Sequence, residues 1–250
     1  MKRFDSYIIC ATPRTGSTLL CGLLAATGIA GKPDSFFRCQ TITWWAEHLN
    51  VAVPETAPAA QFNRAYLDAE LREGDGGTGM FGLRLMMKNV GELSDRLDTL
   101  YPGLASDGAR FEKAFGNPLY IHLSRTDKVA QAVSLAKAMQ TGLWHIAPDG
   151  SEIERMAPPQ KPKYDVRLLE QQVAEFERFE QDWKRWFERQ RIKPVQVVYE
   201  ALSTNPQPVL TSLLDHLGLD AAAGSGVVPD VAKLADEDSL EWIKRYNAAH

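Results

Sequence analysis

Cysteine is scarce in this chain: Cys10, Cys21 and Cys39 are the three in 250 residues, an odd number with no Cys-x-x-Cys spacing. That excludes a disulfide framework and a thiolate zinc site, and it predicts reduced, buried thiols and no bound metal. Long apolar runs are also missing, so nothing approaches the ~20 residues of a membrane span. Met1-Lys-Arg-Phe-Asp5 has the basic start of a signal peptide, but the apolar run behind it is short and ends in Thr-Pro-Arg, which predicts a cytoplasmic protein. Positive charge is not in excess. With 28 Lys and Arg against 32 Asp and Glu, the net charge of −4 lacks the broad basic surface that nucleic acid requires. No internal repeat is visible, and 44% hydrophobic content in 250 residues is enough for one large core, so 1–250 reads as a single α/β domain.

What is present is a strand, a polar turn and a helix near the start. Tyr7–Ala11 is short, apolar and β-favouring. Pro13 and Gly16 break the chain, and Leu19, Leu20, Leu23 and Leu24 then recur at helical spacing. The helix therefore begins with unpaired N–H groups facing the turn, where its dipole attracts an anion. Arg14 adds a forked cation, and Thr15, Ser17 and Thr18 add hydroxyls, which points to a phosphate or sulfate ligand. A Walker P-loop is excluded, since Ala11 stands where its first glycine belongs and Ser17 follows Gly16 where lysine should. A cysteine phosphatase is excluded too, because the residue six after Cys10 is Gly16 rather than arginine.

Pro118–Ser124 reads as a second buried strand leading to Arg125 and a helix that carries Ser134. An arginine at a strand's carboxyl end and a serine two turns into the next helix can grip a second phosphate. Strands are expected at Tyr7–Ala11, Phe81–Met86, Leu119–Leu123 and Val195–Tyr199, and helices at Ser17–Ala26, Ile42–Asn50, Gln61–Arg72, Glu92–Tyr101, Lys128–Gln140, Val166–Gln190, Pro206–Leu217 and Ser239–Tyr246. Nearly continuous apolar strands separated by helices predict a doubly wound, mostly parallel α/β sheet with helices on both faces. Gly74–Gly79 is a glycine-rich connector. The proline-rich stretch 145–164 reads as a mobile substrate-side loop.

Seven segments in order, Thr12–Leu20, Thr27–Phe37, Phe81–Met86, Gln131–Ser134, Gln140–Trp144, Pro194–Glu200 and Glu241–Tyr246, resemble the bacterial trehalose 2-sulfotransferase and Nod-factor-like family. The resemblance spans nearly the whole chain and makes the fold P-loop-like. It implies sulfuryl transfer from 3′-phosphoadenosine 5′-phosphosulfate (PAPS) to a hydroxyl of a carbohydrate or glycolipid-type acceptor, releasing adenosine 3′,5′-bisphosphate, and a homodimer. It places Pro13, Arg14, Thr15, Gly16, Ser17 and Thr18 around the sulfate and 5′-phosphate, Arg125 and Ser134 on the 3′-phosphate, and Phe36, Phe37, Arg84 and Trp144 on the acceptor side. Arg14 is the expected catalytic cation. The chain departs from the family at Ser35, where a glutamate acts as base, and at Arg84, where lysine is usual. Serine has no useful basicity near neutral pH, which leaves Asp34 and His122 as candidates for that role beside Ser35. A binding protein without turnover and an ATP-using small-molecule kinase stay open as alternative readings.

Overall fold

The computed structural model describes residues 4–38, 41–52 and 59–250. Its centre is a four-stranded, wholly parallel sheet of β1 (Ser6–Ala11), β2 (Phe81–Met86), β3 (Pro118–Ser124) and, last along the chain, β6 (Val195–Val198), in the spatial order β2-β1-β3-β6. Ile9 of β1 lies opposite Arg84 on one side and Ile121 on the other, so the sequence motifs come together at one edge of the sheet.

Side chains alternate across the pleat, and each face has its own cover. Tyr7, Ile9 and Ala11 pack with Leu20, Leu23 and Leu24 of helix α1 (Ser17–Ala26). Ile8 and Cys10 face Trp183, Trp186 and Phe187 of the long helix α7 (Val166–Gln190). Between these come α2 (Ile42–His48), α3 (Ala59–Asp75), α4 (Val90–Asp98), α5 (Asp107–Phe115) and α6 (Lys128–Thr141), and the chain ends through α8 (Tyr199–Thr204), α9 (Pro206–Leu217) and α10 (Glu237–Asn247). The Trp183 indole also donates a 3.0 Å hydrogen bond to the carbonyl of Ala11, which anchors the end of β1 just before the polar turn.

The aromatic stripe of α7 is core, as its helical spacing predicts. Cys10 and Cys21 are free and buried, and burial pushes the Cys21 thiol up to about 12; Cys39 lies outside the described residues. Three expectations need correction. Helix α5 was hidden by Gly108 in its first turn, although Ser106 caps it by accepting from the Ala109 N–H at 3.2 Å. The strand expected through Tyr199 stops at Val198, because Tyr199 opens α8. The stretch 145–164, read as a mobile substrate-side loop, opens within an antiparallel hairpin of β4 (Leu143–Ile146) and β5 (Glu152–Arg155). Four prolines concealed it, yet Arg155 ties it to the carbonyl of Thr141 at 2.7 Å, and the Ala232 N–H reaches the carbonyl of Ile146 at 2.8 Å.

Glu70 of α3 is fully buried, and burial raises its carboxyl from about 4.5 to about 8. The folded state thus holds this proton more tightly than the unfolded chain, so the group's contribution is complete below pH 4.5 and is lost as pH rises toward 8. Glu70→Gln should remove that slope: urea titrations should find the variant more stable than wild type at pH 8, with the gap closing at pH 5. A gap of equal size at both pH values would contradict this assignment.

Candidate functional site

The turn between β1 and α1 is held in a conformation the backbone avoids. Arg14 has φ +65° and Gly16 φ +78°, both left-handed, which for a non-glycine residue costs about 1–3 kcal/mol unless its surroundings hold it there. Several bonds do. The Gln131 amide of α6 donates to the Pro13 carbonyl at 2.7 Å and to the Thr12 hydroxyl at 3.0 Å. Arg125 Nη1 donates to the Arg14 carbonyl at 3.0 Å, and the Thr15 hydroxyl is consumed internally, donating to the Thr12 carbonyl at 2.8 Å. Gly16 is required for a second reason: a Cβ there would lie 2.6 Å from the Tyr199 ring. Alternating left-handed residues before a helix start form an anion-binding nest, and no side chain caps the N-terminus of α1.

Two guanidiniums meet over this turn. Arg14 donates through Nε to Ser134 Oγ at 3.0 Å and through Nη1 to the Trp144 carbonyl at 3.1 Å. Arg125 stacks on Tyr199, 4.4 Å from the ring centroid, and its buried Nε has no partner. Burial and the neighbouring Arg125 pull Arg14 down to about 10, and burial also lowers Arg125. Among the described residues neither has a carboxylate within ion-pairing distance; the nearby Glu200 is spent on the N–H groups of Thr126 and Asp127 at 3.1 Å. Two half-buried like charges and an orphaned donor call for an anion with more than one charge.

A cleft of about 1020 Å³ opens from this point. Beside the turn Arg84 forks three ways, to Ser35 Oγ at 2.7 Å, Asp34 Oδ1 at 2.9 Å and Thr18 Oγ1 at 2.9 Å. The structure thus brings together Pro13, Arg14, Gly16, Ser17, Thr18, Asp34, Ser35, Arg84, Arg125, Ser134 and Trp144 from five stretches of sequence. It does not bring Phe36 and Phe37, which are 1% and 4% exposed in the core against Trp45, Tyr66, Phe81 and Phe115. Their apolar bulk is satisfied there, so they hold the Asp34–Ser35 turn in place without facing the cleft. His122 is also away from the cleft, between Gln196 at 3.0 Å and Glu180 at 3.4 Å on the α7 face, and burial lowers its pKa. Thr15 can offer only its backbone.

Sequence reasoning missed His145, Tyr199 and Gln131 as parts of the site. His145 of β4 lies 3.2 Å from Thr18 Oγ1, and its hairpin was concealed. The signal for Tyr199 was present in the requirement for Gly16, but only packing reveals the contact.

The charge balance makes a prediction. Inorganic sulfate should raise the melting temperature of the wild type, with about 2.7 kcal/mol of stabilisation at a hundredfold excess over Kd. Arg125→Gln and Arg14→Gln should each lose most of that gain while remaining folded. Equal sulfate stabilisation in all three proteins would place the anion elsewhere.

Among the described residues no helix is long and apolar enough to cross a membrane. In comparisons with known proteins, the family model of the Stf0 sulphotransferases matches residues 6–249. The trehalose 2-sulfotransferase of Mycobacterium tuberculosis (strain ATCC 35801 / TMC 107 / Erdman) is 30% identical, over 97% of this chain and 94% of the relative. The trehalose 2-sulfotransferase of Mycolicibacterium smegmatis (strain ATCC 700084 / mc(2)155) is 29% identical, over 96% and 94%. Among solved structures, the sulfotransferase domain from the Synechococcus PCC 7002 olefin synthase superposes with a TM-score of 0.50 at 17% identity, covering 99% of this chain and 89% of that domain, a likeness of fold alone. With an anion turn, a parallel α/β sheet and a family match over nearly its whole length, this chain belongs to the Stf0 sulphotransferases.

Proposed function

We propose that this protein transfers a sulfuryl group from PAPS to a hydroxyl of a carbohydrate-type acceptor, with 6–249 acting as one catalytic domain. The observation that carries the reading is the pair Arg14 and Arg125, held together with no ion-paired carboxylate among the described residues and with the Arg125 Nε buried and unpartnered. A donor with a phosphosulfate at one end of a ribose and a 3′-phosphate nearby supplies anions for both. Family membership favours sulfuryl over phosphoryl transfer, and the relatives named trehalose 2-sulfotransferase favour a sugar as acceptor.

In this reading the donor supplies an activated sulfuryl group, and the protein supplies position and charge. The N-terminus of α1 and Arg14 face the phosphosulfate, where negative charge grows on the bridging oxygen as the bond to sulfur breaks. Arg125 and Ser134 take the 3′-phosphate, with Tyr199 as the platform that fixes the Arg125 fork. Arg84 stands beside the incoming oxygen, held by Asp34 and Ser35. The β4–β5 hairpin, through Ile153, Glu154 and Arg155, covers the acceptor side of the cleft.

Radiolabelled PAPS with trehalose and a panel of simple sugars tests this directly, the expected product being a sulfated sugar formed without added metal. Arg125→Gln should raise the PAPS KM by an amount equivalent to about 1.5–3 kcal/mol, whereas Arg14→Gln should act mainly on kcat. Absence of transfer from PAPS to every hydroxyl acceptor by the wild type would overturn the reading.

A further inference from the structure

Ser35 leaves the attacking hydroxyl without the carboxylate that would take its proton, so another group must receive it. Asp34 is poorly placed, because its Oδ1 already accepts from Arg84 Nη2 at 2.9 Å and from the Ser35 N–H at 2.6 Å, so that oxygen is engaged. Among the described residues, the cleft-lining imidazole of His145 is hydrogen-bonded to the anion turn, its Nε2 lying 3.2 Å from Thr18 Oγ1.

Resting on the sulfuryl-transfer reading, we propose that His145 is the general base of this enzyme, receiving the acceptor's proton on Nε2 in place of a carboxylate at position 35. The role requires the tautomer in which Nε2 accepts from the Thr18 O–H, while Thr18 Oγ1 accepts from Arg84 Nη1 at 2.9 Å. In that tautomer the ring proton is on Nδ1 and the Nε2 lone pair faces Thr18 of the anion turn. An acceptor hydroxyl that takes the place of the Thr18 O–H acquires this base as its partner.

The step balances. The acceptor oxygen forms a bond to sulfur, the bond from sulfur to the bridging phosphate oxygen breaks, and adenosine 3′,5′-bisphosphate departs with the electron pair. The hydroxyl proton passes to Nε2, and the resulting imidazolium has Glu154 Oε2 3.5 Å away before it returns the proton to water. The register of the hairpin sets this pair, since His145 of β4 lies opposite Glu154 of β5.

The charged groups facing the ring are Arg14 from the β1–α1 turn, Arg84 from β2 and Glu154 from β5. Burial first, and then the two guanidiniums, lower the imidazole to about 4, so it is neutral and able to accept at physiological pH. A base so depressed is weak, but the donor's anions would offset the same two arginines and raise its proton affinity when the acceptor attacks. The base is thereby coupled to occupancy of the anion site.

The test uses the full chain with His145→Gln and His145→Ala, with adenosine 3′,5′-bisphosphate as the binding probe. Both variants should keep the probe's affinity within about threefold of wild type, a change of under 1 kcal/mol. Their kcat should fall by about 10²–10⁴-fold, and the acid limb of the kcat profile should vanish. Added imidazole should restore part of the rate to His145→Ala. Nitrogen NMR of the wild-type ring should find its titration midpoint moving to higher pH when the probe binds. Unchanged kcat in His145→Gln would overturn the assignment, as would a loss of probe affinity matching the loss of rate with no rescue by imidazole. A wild type that neither binds the probe nor transfers sulfate would instead remove the sulfuryl-transfer reading, and this assignment with it.

Discussion

Two arginines that repel each other are kept side by side at the carboxyl end of a parallel sheet, and much of the surrounding structure serves to hold them there. Arg14 adopts a left-handed backbone that it would avoid in isolation, and its carbonyl accepts from the very Arg125 whose charge opposes it. Gln131 fastens the turn from below and Tyr199 supports Arg125 while excluding any side chain at position 16. Trp183 ties the last residue of β1 to the long covering helix. Each contact raises the cost of relaxing the arginines apart. Under the proposed function, that electrostatic energy would be released when an anion binds.

The architecture was largely legible because its signals are local and repeated. Apolar strands of five or six residues, alternating with amphipathic helices, leave few arrangements besides a covered parallel sheet, and β1 buries both of its faces as that pattern requires. Helix α7 spans Val166–Gln190, the bounds its aromatic periodicity predicts. The polar turn was legible for the same reason, since a strand, a proline, a glycine and a helix start in close succession limit what the backbone can do. Helix α5 and the β4–β5 hairpin were not, because one has glycine in its first turn and the other lies among prolines with strands of only four residues.

The site was less legible where a residue's role depends on which way its side chain turns. Motif position suggested that Phe36 and Phe37 face the acceptor, but two adjacent aromatics beside a half-exposed Asp34 gain more by entering the core. Thr15 spends its hydroxyl on its own turn. Trp144 contributes a backbone carbonyl to Arg14 and a ring 5.8 Å from the guanidinium, so it positions the cation as well as lining the cleft. The place of Ser35 is clear only in three dimensions, where Ser35 joins Arg84 and Arg84 reaches through Thr18 toward His145.

The central claim is that Arg14 and Arg125 form one site for two separated anionic groups. Calorimetry comparing adenosine 3′,5′-bisphosphate with adenosine 5′-monophosphate tests it most directly, since the two ligands differ only in the 3′-phosphate. The account predicts that the bisphosphate binds more tightly by about 1.5–3 kcal/mol, as for a charge-assisted contact, and that Arg125→Gln abolishes the difference. Equal affinity for the two nucleotides in the wild type would contradict it.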